Sequence, residues 1–265
     1  MPVMEDYIDE KTGLLYCGKC HTPKEALIPG GAEIFGTRKF RVLCQCEQEA
    51  RDREEQEQRQ REFHERVQFL RREAFRDIPG QDWRFDNAQK SDRLSKLKRY
   101  ADHWEQMQAD GTGLLLFGGV GTGKSYAAGC LANALLDLGH SVRFLGLSDI
   151  VNRLQGCFGT DREKYLKELL KPDLLILDDL GAERSTSFGK EQVFDVINKR
   201  ILSGRPLVVT TNIPLKVMQA AEDIQDRRIF DRVLEKCVPV AFTGENFRKA
   251  NAAENLRRAA ALLTG

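Results

Sequence analysis

The octapeptide "GGVGTGKS", residues 118–125, fits G-x-x-x-x-G-K-S, a pattern whose residue types serve one chemistry. Glycines allow consecutive backbone N–H groups to turn inward onto phosphate oxygens, and a helix starting at the motif adds the positive end of its dipole. Lys124 then reaches the β and γ phosphates of a nucleoside triphosphate, and the Ser125 hydroxyl ligates Mg2+. The expected cradle is Gly118, Gly119, Val120, Gly121, Thr122, Gly123, Lys124 and Ser125, with Tyr126 adjoining it. The apolar run "GLLLF" stands before the motif and the helical pattern "SYAAGCLANALLDLG" behind it, the strand and helix that such a loop needs. ATP with Mg2+ is the expected ligand.

Hydrolysis needs more than a cradle: it needs an acid at the end of a neighbouring strand. "LLILDD" offers two, Asp178 to hold Mg2+ and Asp179 to orient or deprotonate the attacking water. Many ATPases of this kind carry Glu at the second position, and the shorter Asp predicts slow hydrolysis. "VVTTN" places Thr211 and Asn212 at the next strand end, either to touch the γ-phosphate or water or simply to cap a turn. In "DIQDRRIFDRVLEKC", Arg228 and Arg232 share one helix face at i,i+4. Such arginines either form a solvated face or complete a neighbour's active site.

A second constellation lies upstream. Cys17 and Cys20 form C-x-x-C, and Cys44 and Cys46 form C-x-C after the strand-like "RKFRVL". Four thiolates in two tight pairs suit a closed, structural Zn2+ site, with His21 or a subset of three as alternative ligand sets. The remaining Cys130, Cys157 and Cys237 sit in or beside apolar stretches and read as inert core residues. Seven cysteines without a secretion signal point to thiols or metal ligands, not disulfides.

These residues must be positioned by elements, and the sequence divides into three segments. Residues 1–46 are turn-rich and form the expected zinc module. Residues 47–76 are expected to form a charged linker helix, because Glu47/Arg51, Glu49/Arg53, Glu55/Arg59, Glu57/Arg61 and Glu62/Arg66 place acid before base at i,i+4. "DIPGQDW" stops it. From 77 to 265, apolar runs at 113–118, 141–147, 172–180, 205–212 and 237–242 alternate with helical patterns, which argues an α/β fold on a parallel sheet buried on both faces. The formal net charge of +1, from 41 Lys and Arg against 40 Asp and Glu, excludes a global nucleic-acid field, so any such contact must be local. The N-terminus lacks a signal peptide and no apolar run reaches about 18 residues, so a cytoplasmic protein without membrane contact is expected.

The set "GGVGTGKS", "LLILDDLG", "NKRILSGRPLVVTTN" and "RIFDRVLEKCVPVAFTGENFR" resembles the AAA+ ATPase core of the bacterial DnaC/DnaI-type replicative helicase loaders, over roughly residues 77 to 250. It is also similar to the IstB-type transposition helper ATPases. The resemblance implies a five-stranded sheet ordered 5-1-4-3-2, with a lid absent or truncated because only a short stretch follows "VPVAF". It further implies ATP held between self-associating subunits, Asn212 as sensor, Arg232 as arginine finger and Arg228 near the γ-phosphate of the same or the adjacent subunit. Its implied partners are a hexameric replicative DNA helicase, gripped by a zinc module as in DnaI-type loaders, and single-stranded DNA. The DNA would run past "SDIVNRLQGCFGTDREKYLKELLK", where Arg153, Phe158, Arg162 and Lys164 could follow a backbone and stack a base; Ser185, Thr186 and Lys190 in the next loop are further candidates. Packing of an amphipathic helix through Leu154, Tyr165, Leu166 and Leu169 is an equal reading of that segment. The alternative function is a transposition helper on duplex DNA, whose relatives generally lack the cysteine quartet.

Overall fold

A computed structural model describes residues 5–33, 36–88, 91–182, 186–244 and 246–264. The chain separates into two compact units, Met1–Glu65 and Arg66–Gly265.

The first unit carries two small antiparallel hairpins, β1 (Tyr7–Ile8) with β2 (Leu15–Tyr16) and β3 (Glu25–Leu27) with β4 (Lys39–Arg41). Helix α1 spans Gln45–Ala74, and the division between the units falls inside it. It starts two residues earlier than the charge pattern suggests, so Cys46 lies in its first turn. Its ion pairs also differ from the simple ladder. Arg59 and Arg61 reach back to Glu55 and Glu57, but Arg51 reaches forward to Glu55, and Glu47 turns to Lys24 at 3.1 Å and Arg41 at 3.5 Å. Glu47 is drawn there because the half-buried Lys24 already faces Asp6 at 2.7 Å and holds both carboxylates well below their usual range.

In the second unit, α2 (Asp92–Asp102) and α3 (Trp104–Asp110) precede the sheet. There follow β5 (Gly113–Phe117), α4 (Lys124–Asp137), β6 (Val142–Gly146), α5 (Leu147–Gln155), α6 (Gly159–Leu170) and β7 (Leu174–Leu180). The chain continues through α7 (Ser187–Leu202), β8 (Leu207–Thr211), α8 (Leu215–Gln219), α9 (Ile224–Lys236), β9 (Cys237–Ala241) and α10 (Phe247–Thr264). The five strands are parallel in the order β6-β7-β8-β5-β9. Numbered within the sheet, that is the expected 5-1-4-3-2, each strand one to three residues shorter than its apolar run. Because strand residues alternate sides, Leu115, Leu175, Leu177 and Val209 pack with α5, α6, α7 and α9 on one face. Leu114, Leu116, Ile176 and Val208 pack with α2, α3 and α4 on the other.

Several polar side chains are buried within this frame, and Arg200 is the largest of those with no exposure. Arg200 of α7 is fully enclosed and donates to the carbonyls of Leu170, Pro172, Asp173 and Pro206 at 2.7–3.0 Å, which ties α7 to the segments entering β7 and β8. Burial pushes its guanidinium down to about 9, still charged at neutral pH. Among the described residues, no helix is long and apolar enough to cross a membrane.

Candidate nucleotide site and cysteine cluster

The loop between β5 and α4 owes its shape to glycine. Gly118 has φ +142° and a Cβ there would stand 2.1 Å from the Phe242 carbonyl oxygen; at Gly121, φ +78°, it would stand 2.0 Å from Asn246 Oδ1. Only glycine suits backbone that turns this way under such close approach. Lys124 opens α4, is almost fully buried, and donates from Nζ to Gly118 O at 2.9 Å, Gly119 O at 2.8 Å and Asn212 Oδ1 at 2.8 Å. Burial lowers its pKa, against the pull of Asp179 and Asp178. Ser125 Oγ donates to Asp178 Oδ1 at 2.9 Å, and burial raises the pKa of that carboxyl, opposed by the hydroxyls of Thr210 and Ser125.

These groups border a cleft of about 850 Å³ whose wall includes Val120 to Tyr126, Asp179 and Asn212. Asp178 stands behind Ser125 and is absent from the wall. Asp178 and Asp179 are adjacent, and in a regular strand they would point to opposite faces. The β7–β8 register slips between Leu177 and Leu180, and Asp179 has φ +59°, so the second acid turns onto the cleft wall while the first stays against Ser125. The Ser125 and Asp178 oxygens form the hard donor set that Mg2+ takes.

The cleft also contains residues that no motif marks: Trp83, Arg93, Phe242, Phe247 and Arg248. Arg93 lies over the rings of Phe242 at 5.4 Å and Phe247 at 5.9 Å and donates to Thr243 O at 2.6 Å, and Phe247 N donates to Gly121 O at 2.9 Å. The start of α10 is thus fastened to the phosphate loop. Thr210 is the other residue that sequence reasoning passed over, in favour of Thr211. The two point to opposite sides of β8: Thr210 donates to Asp178 Oδ1 at 2.6 Å, whereas Thr211 Oγ1 donates to Leu180 O at 2.7 Å, and neither is on the cleft wall.

Other expected residues lie elsewhere. Arg228 stacks over Phe194 of α7 at 4.1 Å, and Arg232 pairs with Glu235 at 2.8 Å. Neither borders the cleft of its own chain. The α5–α6 segment is two helices packed through Leu154, Leu166 and Leu169. Arg153 lies over Tyr165 at 5.6 Å, and Arg162 is engaged by Gln192 at 2.6 Å and Asp195 at 3.4 Å. Phe158, at 82% exposure, and Lys164 face solvent. Thr186 caps α7 by accepting from Gly189 N, Lys190 pairs with Asp223 and Asp226, and Ser185 lies outside the described residues.

In the first unit, the sulfurs of Cys17, Cys20, Cys44 and Cys46 all lie within 4.8 Å of one another. Cys46 Sγ is 3.6 Å from Cys17 Sγ and 3.3 Å from Cys44 Sγ. Four sulfurs at Zn–S bonds of about 2.3 Å in a tetrahedron sit roughly 3.8 Å apart, so the cluster fits a four-thiolate zinc site. Lys19 N–H points at Cys17 Sγ, and Gln45 N donates to Thr22 Oγ1 at 2.8 Å, joining the loops that carry the two pairs. His21 lies outside this group, its Nδ1 3.3 Å from the Tyr7 hydroxyl. Sulfurs of Cys44 and Cys17 push the Cys46 thiol up to about 12; a dication among them supplies the charge that lets all four ionise. Cys130 and Cys237 are buried, as expected, and Cys157 is half-buried.

A family profile described as IstB-like ATP binding protein matches residues 44–255. The replicative helicase loader DnaC of Escherichia coli K12 is 28% identical over 159 residues, 58% of this chain and 62% of DnaC. A protein described as ATP-binding in an insertion sequence of Mycobacterium tuberculosis is 34% identical over 104 residues, 38% of this chain and 41% of that one. The chain therefore spans less than two thirds of the length of either relative. Among solved structures, the DnaC helicase loader aligns with a TM-score of 0.54 at 24% identity, covering 61% of this chain and 97% of that one. DnaI aligns with a TM-score of 0.51 at 25% identity, covering 66% and 93%.

Proposed function

The chain belongs to the IstB-like ATP-binding protein family, and from that premise we propose that it is an ATP-controlled loader of a hexameric replicative DNA helicase, acting in the cytoplasm. The observation that carries this reading is the four-sulfur cluster in the same chain as an ATP-binding core of the DnaC and DnaI fold. The Cys17/Cys20 pair lies outside the span that the family profile matches, which suits a module added for a particular partner. In this reading residues 1–46 hold Zn2+ and grip the helicase, 47–76 form the linker helix, and 77–265 bind ATP.

Each residue then has a task. Backbone N–H groups of Gly118–Ser125 and the Lys124 ammonium hold the triphosphate, and Ser125 and Asp178 offer their oxygens to Mg2+, which when bound polarises the γ-phosphate. Asp179 aligns the water and accepts its proton. Asn212 senses the γ-phosphate through the ammonium it shares with Lys124. Arg248 adds positive charge at the mouth of α10. Arg232, with Arg228 beside it, acts in trans on the neighbouring subunit's nucleotide, since neither reaches its own cleft. Single-stranded DNA is met by Phe158 and Lys164, with Arg153 and Arg162 shaping that surface from their intramolecular contacts.

The test is mass photometry of the full chain with its host's hexameric helicase, with and without ATP. A discrete complex that is lost in Cys17→Ser/Cys20→Ser supports loading. No complex, together with ATP-driven assemblies on duplex DNA, moves the protein to the transposition-helper reading, which the family profile and the insertion-sequence relative favour.

A further inference from the structure

Thr210 is fully buried on β8 and does not line the cleft, yet its hydroxyl serves both acids at once. Thr210 Oγ1 donates to Asp178 Oδ1 at 2.6 Å and accepts from the Asp179 backbone N–H at 2.9 Å. The same Asp178 Oδ1 accepts from Ser125 Oγ at 2.9 Å. Asp179 is one of two non-glycine residues with positive φ among the described residues, and it sits where the β7–β8 register slips. An L residue in the left-handed region is strained unless its surroundings hold it there, and the bend has removed Asp179 from the ordinary ladder. The hydroxyl of Thr210 therefore accepts an N–H that the slip would otherwise leave buried without a partner.

We infer that Thr210 is a positioning residue for ATP hydrolysis: one hydroxyl fixes the Asp178 carboxylate toward Ser125 and pins the bend that presents Asp179 to the cleft. Valine has the same shape but neither donates nor accepts, so it leaves a carboxylate oxygen and a backbone N–H each short of a bond. Serine keeps the hydroxyl and loses only the methyl. A role confined to packing β8 would show the reverse preference, with valine tolerated and serine harmful. A role in positioning acts on turnover more than on ATP capture, because Lys124 and the loop glycines do not depend on Thr210.

The inference rests on the ATPase reading above, and the experiment separates the two. Steady-state hydrolysis by the full chain is measured for wild type, Lys124→Ala, Thr210→Val and Thr210→Ser, with Mn2+ affinity in the presence of ATP read by electron paramagnetic resonance. Thr210→Val is expected to lower kcat about 10- to 100-fold with KM for ATP within about threefold, as misplacement of reacting groups by an ångström does. It should weaken Mn2+ severalfold, and Thr210→Ser should restore both to near wild type. Thr210→Val with wild-type kcat overturns the inference, and so does Thr210→Ser as impaired as Thr210→Val. Should Thr210→Val fail to fold, Thr210→Ser decides with Thr210→Ala: serine near wild type and alanine impaired supports the role, and equal activities overturn it. Wild type that neither turns over ATP nor binds Mn2+ with it sinks the ATPase reading itself.

Discussion

Asp179 explains why the second acid of this site is short. At φ +59° the backbone lies where Asp and Asn are tolerated and longer side chains are disfavoured, so the bend selects Asp. Asp179→Asn should keep the bend and ATP binding while lowering kcat about 10²- to 10⁴-fold, as loss of a general base does, measured by phosphate release. Asp179→Glu should lose about 1 kcal/mol of stability in urea unfolding and gain no rate; a faster Glu variant would show that reach, not backbone, sets the rate. Lys124, Ser125, Asp178 and Asn212 could be picked from the sequence because local spacing fixes the loop, and the bonds Lys124–Asn212 and Ser125–Asp178 join residues so picked. Thr210 was not legible in the same way. Its partners are 32 and 31 residues away and depend on a register slip that no local pattern announces.

Among the elements, α4 has a second duty besides carrying Lys124. Its Asn133, fully buried, donates to Gly80 O and Trp83 O at 2.8 Å and accepts from Arg71 Nε at 3.0 Å, while Arg71 also pairs with Asp137. One amide thus joins the end of α1, the turn before α2 and the phosphate-loop helix. Asn133→Leu should cost about 2–4 kcal/mol, because two carbonyls and a buried guanidinium lose a partner, and should weaken ATP binding through the Trp83 turn; urea unfolding and nucleotide titration check both. The five strands were visible as apolar runs because a sheet buried on both faces demands continuous hydrophobicity. The β9–α10 joint was not, since it is placed by long-range contacts such as Arg93 with Phe242 and Phe247, and its own letters carry no period.

At the scale of the whole molecule, the two units should answer to different reagents. Zinc chelation should abolish the cooperative unfolding of the unit around the four sulfurs, since metal binding and folding of such small sites are one equilibrium. ATP affinity should stay within about twofold, and calorimetry with and without chelator reads both. If Arg232 acts across subunits, mixing Lys124→Ala with Arg232→Ala should restore part of the ATPase rate, because some interfaces then pair an intact loop with an intact arginine; no gain on mixing rules out trans action. Phe158→Ala with Lys164→Ala should reduce single-stranded DNA binding in fluorescence anisotropy, and unchanged affinity at low salt would remove that surface from the DNA path. Finally, the chain has two tryptophans. Trp104 is buried among Tyr100 and His140, whereas Trp83 lines the cleft with its ring 5.6 Å from Tyr126. An occupant of the cleft therefore enters the surroundings of one indole and not the other, so the unlabelled protein carries its own optical gauge of nucleotide occupancy, and Trp104→Phe would leave that signal on a dark background.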